Sequence, residues 1–258
     1  MILHAYGDSW TEGEGADINI ENTLNNTNDK RLFRNSKSWV KSLSDRLIIP
    51  NKNNGISGNS NNKIFNQIVL DVQNDLIKSG DLIIVMWSSS LRDGVPFLPK
   101  DEWISWSVKH LLETPEKFTT SYKSNNIDYN KFLIDYKNYF ILNLFNQNYY
   151  NIVNQNYIIF LQQLFQFYNI NYLFCDGLES MIIDLNKKDN VTNLIKDNNY
   201  WGFKKETFRD FLLKTNRLDL WEYQDVTYKD RAKQHPNENG YNLISQELYN
   251  YIVKNNII

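Results

Sequence analysis

The sequence predicts an α/β fold in which helices cover both faces of a central parallel sheet. Two patterns carry this reading. Leu82-Ile83-Ile84-Val85-Met86-Trp87 is apolar without interruption, as expected of a central parallel strand packed on both faces. Around it, short apolar runs alternate with stretches whose apolar residues recur at helical spacing, the strand–helix–strand order of βαβ units. No internal repeat or linker-like segment breaks the chain. One domain over residues 1–258 is therefore expected, carrying an insertion at about 93–170.

Ile2 to Tyr6 reads as the first strand, and a polar, glycine-containing loop follows from Trp10 to about Asn35. Ser36 or Ser38 is placed to cap a helix whose apolar positions are Trp39, Val40, Leu43 and Leu47. Pro50 to Asn54 ends it, and a brief extended segment leads to Gly58. A second amphipathic helix is expected from about Asn61 to Lys78, with Ile64, Ile68, Val72 and Leu76 on one face. Gly80 closes it before the central strand. From Asp93 to about Tyr129 the periodicity fades among Pro96, Pro99 and Pro115. A long helical segment from about Tyr129 to Tyr168 makes the insertion largely helical. The strand Tyr172 to Cys175, a helix near Glu206 to Leu213 and a C-terminal helix from Asn237 to Val253 complete the chain.

Composition narrows the function classes. With 258 residues, 41% hydrophobic and 14% aromatic, the chain can bury a sizeable core. A net charge of -2 gives no global attraction to nucleic acid or an anionic membrane. The single cysteine, Cys175, excludes an intrachain disulfide and any multi-cysteine metal site, and its apolar neighbours mark it as a core residue. Met1 leads almost directly into a strand, with no signal peptide and no run of about 18 apolar residues. A cytoplasmic or virus-associated protein is expected. The abundance of Asn, Lys, Ile, Tyr and Phe fits an AT-rich genome.

Three islands carry the chemistry. Gly7-Asp8-Ser9-Trp10 puts a serine at the end of the first strand. Gly55-Ile56-Ser57-Gly58-Asn59-Ser60 follows the first long helix, and His235-Pro236-Asn237 precedes the last one. A serine hydroxyl is too weakly acidic to attack an ester unaided, so it needs a base within hydrogen-bond reach. Ser9 is the candidate nucleophile and His235 the candidate base, since His4 sits within a strand and His110 within the insertion. Alone, Ser9 would also suit a helix or turn cap.

In order, these blocks resemble the SGNH (GDSL-type) hydrolases, a family of esterases, lipases and carbohydrate deacetylases. The matching residues are Tyr6-Gly7-Asp8-Ser9-Trp10, Asn54-Gly55-Ile56-Ser57-Gly58 and His235-Pro236-Asn237-Glu238-Asn239-Gly240-Tyr241, with the resemblance covering residues 1–90 and 225–255. It implies a three-layer, flavodoxin-like α/β/α fold. It also implies an oxyanion hole made from the backbone N–H groups of Ser9 and Gly58 and a side-chain donor after the central strand. The family's Gly-x-Asn-Asp there is replaced by Ser88-Ser89-Ser90-Leu91-Arg92, which puts Ser90 where the asparagine belongs. Phage-encoded members look similar at this block, with a Trp-Ser/Thr-Ser-x-x-Arg run. Arg92 either completes the site or pairs with a carboxylate. Arg92, Trp10 and Asn59 are expected on the substrate side.

The acid that orients the histidine is absent from its usual position, three residues ahead, where Ala232 stands. Asp230 is the candidate third member, and a Ser-His dyad held by a backbone carbonyl is the alternative. The implied reaction is hydrolysis of small-acyl esters through an acyl-enzyme, with O-acetyl groups on carbohydrate ahead of lipid, because the insertion lacks a long apolar lid. Trp103 and Trp106 fit sugar stacking or core packing. No metal or organic cofactor is implied. The expected partner is a small-molecule or carbohydrate ester, with no nucleic acid and no membrane span. The rivals are a non-catalytic carbohydrate-binding or structural module on the same fold, and an acyltransferase.

Overall fold

The computed structural model describes residues 1–89, 92–97, 102–107, 139, 146–181, 190–223 and 234–258. Five parallel strands form one sheet: β1 (Leu3–Tyr6), β2 (Asn51–Asn53), β3 (Leu82–Trp87), β6 (Asn171–Asp176) and β7 (Tyr200–Trp201). Between β3 and β6 the chain adds an antiparallel hairpin, β4 (Arg92–Phe97) and β5 (Glu102–Ser107), in which Arg92 pairs with Ser107. The sheet order is β2-β1-β3-β6-β7. In chain order of its own strands this is the flavodoxin-like 2-1-3-4-5 sequence, whose direction reverses between β1 and β3. Such sheets build their sites at the carboxyl ends of the strands flanking that reversal.

The sheet is buried on both faces, and the period-2 alternation of its strands divides the core in two. Leu3, Ala5, Leu82, Ile84, Met86, Leu173 and Cys175 face one layer. That layer contains α4 (Trp39–Leu47), α7 (Phe208–Lys214) and α8 (Glu238–Lys254). Tyr6, Ile83, Val85, Trp87, Tyr172 and Phe174 face the opposite layer, formed by α5 (Asn61–Gln73) and α6 (Gln147–Phe167). Cys175 is fully buried, and burial pushes its thiol well above the ordinary value, which leaves it inert. At the amino edge of the sheet, His4 meets Asp81 at 3.3 Å, and Asp81 also accepts the N–H groups of Ile2 and Lys78. Burial lowers the His4 pKa against the opposing pull of Asp81, and the ring packs within the strand beside that carboxylate.

Three expectations change. The presumed loop from Trp10 to Asn35 contains three helices: α1 (Ser9–Glu12), α2 (Ile18–Glu21) and α3 (Thr27–Lys37). Asp8, Asp17 and Asn26 cap them, and α3 buries none of its residues fully. A helix without a core-facing stripe leaves no apolar period to read. Secondly, α5 stops at Gln73 instead of running to Lys78. Asp75 takes a left-handed φ of 57°, which turns Leu76 out to 52% exposure and Ile77 into the core. Thirdly, the expected helical insertion begins with the β4–β5 hairpin, and Trp103 and Trp106 lie on its second strand. Helix α6 contributes Ile158, Leu161 and Phe165 to the core beside the sheet. Of the long helix expected from Tyr129, residues 129–138 and 140–145 lie outside the described residues, as does His110.

Candidate active site

The serine is positioned by a tight turn at the end of β1. A side chain on Gly7 would press within 2.8 Å of the Met86 carbonyl oxygen on the neighbouring strand, so only glycine lets the turn lie so close. Asp8 then caps α1, its carboxylate accepting the Trp10 N–H at 3.0 Å. Its other oxygen accepts the Ser88 hydroxyl at 2.6 Å and the Arg92 guanidinium at 3.0 Å. This buried network ties the end of β1 to the segment after β3. Ser9, the first residue of α1, is 5% exposed.

The histidine arrives by an independent route. Trp221 and Pro236 form an antiparallel bridge. Beside it, the Glu222 N–H donates to the His235 carbonyl at 3.1 Å and the Asn237 N–H to the Leu220 carbonyl at 3.0 Å. The Asn237 side chain caps α8 by accepting the Asn239 and Gly240 N–H groups. It also donates to the Asp219 and Trp221 carbonyls. Two bonds join this loop to the strand of chain after α1: the Glu238 N–H to the Ala16 carbonyl at 3.0 Å, and the Tyr241 hydroxyl to the Glu14 carbonyl at 2.6 Å.

These supports bring His235 Nε2 to 3.0 Å from Ser9 Oγ, although the residues are 226 positions apart. The opposite ring nitrogen, Nδ1, lies 3.6 Å from a carboxylate oxygen of Glu222. Glu14 places a second carboxylate 3.8 Å from Nε2. Burial opposes charging the ring and is the largest single influence on it. The carboxylates of Glu222, Glu14 and Asp8 together outweigh it, so the His235 pKa is raised.

Gly58 follows β2 in a turn closed by the Asn59 N–H donating to the Ile56 carbonyl at 3.0 Å. The Ile56 N–H donates to the Gly7 carbonyl at 3.2 Å, holding this turn against the one that presents Ser9. Gly58 has a left-handed φ of 78°, with open space where a side chain would stand. Asn59 is mostly buried, and its carbonyl accepts from Arg92 at 3.3 Å. Arg92 is thus a partner of Asp8 and Asn59. Trp10 differs from its expected place on the substrate side. It is 1% exposed, in the core beneath the site, edge-on to Trp221 with ring centroids 6.4 Å apart. Neighbouring side chains on a helix point about 100° apart, and Trp10 takes the inward direction.

Ser90, Asp230 and Ala232 lie outside the described residues. In the third block it is Ser88 whose hydroxyl reaches Asp8. Asn61 holds this segment, accepting the Ser88 N–H at 2.9 Å and donating to the Ser88 and Ser89 carbonyls. The sequence reading did not single out Glu222, Glu14, Gly15, Ser88 or Asn61. Gly15 has a φ of 83°, and a Cβ there would lie 2.6 Å from the His235 Cβ. The closely spaced Gly13 and Gly15 were the visible sign of a constrained turn. Nothing local marks Glu222, because its place beside His235 depends on a bridge between segments that are distant along the chain.

A polar cleft of about 270 Å³ adjoins the site, lined by Gly15, Asp17, Ile18, Trp221, Glu222 and Glu238 among others; neither Ser9 nor His235 lines it. Among the described residues, no group of three or more His, Cys, Asp or Glu is placed to hold a metal ion. Among them, too, no helix is long and apolar enough to cross a membrane.

No family model and no curated protein matches the chain. Solved structures that resemble it along nearly its whole length include the following two. One is a protein of Desulfitobacterium hafniense DCB-2 assigned to the G-D-S-L lipolytic family. It is 11% identical, with a TM-score of 0.43, over 97% of this chain and 98% of that one. The other is an acetyl xylan esterase, AlAXEase. It is 15% identical, with a TM-score of 0.42, over 98% of this chain and 100% of that one.

Proposed function

We propose that this protein is a serine esterase that hydrolyses small-acyl esters through an acyl-enzyme. The observation that carries the proposal is the 3.0 Å contact between His235 Nε2 and Ser9 Oγ. It is reinforced by a carboxylate, Glu222, on the opposite nitrogen of the same ring. A nucleophile, a base and a group behind the base make up the constellation that activates a serine hydroxyl.

In this mechanism Glu222 favours the tautomer with its proton on Nδ1, leaving the Nε2 lone pair facing Ser9. Ser9 Oγ attacks the acyl carbon as its proton passes to Nε2. The resulting imidazolium lies between Glu222 and the oxyanion. The carbonyl electron pair moves onto oxygen, where the backbone N–H groups of Ser9 and Gly58 are the proposed donors, with Ser90 as the proposed third. Collapse of the intermediate breaks the ester C–O bond, and Nε2 returns its proton to the departing alcohol oxygen. Water then repeats the sequence on the acyl-serine, restoring Ser9 and releasing the acid. Acid–base catalysis of this kind contributes roughly 10²- to 10⁴-fold, and each oxyanion donor about 10²- to 10³-fold.

O-acetylated carbohydrate is the proposed substrate class. A fluorophosphonate probe should label the wild type and not Ser9→Ala, and Ser9→Ala should lose turnover of p-nitrophenyl acetate while still folding. Labelling or turnover retained in Ser9→Ala would refute the assignment, and a wild type that is neither labelled nor active would favour a non-catalytic module.

A further inference from the structure

We infer that Glu14 sets the charge preference of the site for the leaving group, favouring neutral, hydroxyl-rich or cationic alcohols and rejecting anionic ones. The inference rests on the proposed esterase reading. In that chemistry the departing oxygen must take its proton from His235 Nε2, so it comes within hydrogen-bond reach of that atom. A Glu14 carboxylate oxygen stands 3.8 Å from the same nitrogen. The leaving group therefore departs past Glu14, whereas Glu222 sits behind the ring at Nδ1, 3.6 Å away.

Glu14 is fixed in place from three sides. Its backbone carbonyl accepts the Tyr241 hydroxyl, one carboxylate oxygen accepts the Ser57 hydroxyl, and the other lies 3.4 Å from Arg34. Arg34 does not neutralise it, because the same guanidinium lies 2.8 Å from Glu21 and 3.2 Å from Glu12. One cation faces three carboxylates, so the cluster keeps a net negative charge. Arg92 is paired with Asp8, and Lys37 with Glu238. The side chain of Glu14 is 27% exposed, so a ligand can reach it while solvent only partly screens it. An ionised carboxylate accepts hydrogen bonds and donates none, which suits a polyol and repels a second anion.

The test compares three acetate esters of saturated alcohols: acetylcholine, its uncharged isostere 3,3-dimethylbutyl acetate, and 3-acetoxypropane-1-sulfonate. One charge about 6 Å from Glu14, at an effective dielectric between those of a protein surface and water, changes kcat/KM by about tenfold. The cation-to-anion ratio should therefore be about 100 at low ionic strength and fall by about 100-fold, to near 1, in Glu14→Gln. Glu14→Asp, which keeps the charge, should retain most of the ratio, and about 0.5 M salt should compress it in the wild type. Changes in His235 protonation cancel in the ratio, since all three substrates use the same base. An identical ratio in wild type and Glu14→Gln, with Ser9-dependent turnover of the neutral ester, would overturn this inference alone. If none of the three is hydrolysed and Ser9 is not labelled by a fluorophosphonate, the esterase reading fails and this inference with it.

Discussion

Replacing Glu222 by glutamine removes one charge from behind the His235 ring and little else. The carboxylate lies 3.6 Å from Nδ1, and the His235 and Glu222 side chains are 27% and 11% exposed. At an effective dielectric of about 20–40, a unit charge at this distance stabilises the imidazolium of the transition state by about 2–5 kcal/mol. Glu222→Gln should accordingly lower kcat/KM by roughly 50- to 2,000-fold, and the solvent at His235 favours the lower half of that range. Glu222→Ala should cost at least as much, because the tautomer then loses its acceptor as well. An alkyl acetate is the right substrate, since its alcohol needs the proton that His235 returns.

The pH profile gives a second reading of the same contact. His235 works as a base only when neutral, and its pKa is raised above the ordinary 6.5 because the neighbouring carboxylates outweigh burial. Activity should therefore rise with pH through a value above about 6.5. In Glu222→Gln that rising limb should move to lower pH, with a lower plateau. Stability follows the same linkage with opposite benefit. The contribution of these carboxylates is fully present below the unfolded-state histidine pKa and is lost as pH rises through the higher folded-state value. A Glu222→Gln enzyme with wild-type rate and an unmoved limb would refute the reasoning, and loss of activity in Asp230→Asn instead would restore the closer acid in sequence.

Two further outcomes follow from the packing around the site. Gly15→Ala should reduce turnover by at least tenfold in an esterase assay, because a Cβ 2.6 Å from the His235 Cβ must displace that ring; the left-handed φ adds a strain of about 1 kcal/mol or more, visible as a lower Tm. Trp10→Ala should destabilise the fold by about 3–5 kcal/mol in chemical denaturation, as expected for a fully buried aromatic; a neutral effect on stability with a specific rise in KM would return Trp10 to the substrate side.

Periodicity made most of the fold legible in the sequence. The runs Leu3–Tyr6, Leu82–Trp87 and Asn171–Asp176 lie in the sheet, and the stripes of Trp39, Val40 and Leu43 and of Tyr241, Ile244, Leu248 and Ile252 lie against it. Burial on a fixed face leaves a repeat of 2 or 3.6 residues in the order of side chains, and that repeat can be read from one dimension. Where burial was slight, as along Thr27–Lys37, the repeat was missing and the helix went unseen. Ser9 and His235 were legible as candidates by residue type and by their places after a strand and before a helix. Tertiary structure decided what each of them touches. Sheet order carries the Gly7 turn to the switch between β1 and β3, and the Trp221–Pro236 bridge brings Glu222 to the back of the ring. Contacts between segments joined only through such pairing leave no local pattern, because their cause is the geometry of the sheet and its loops and not the spacing of residues along the chain.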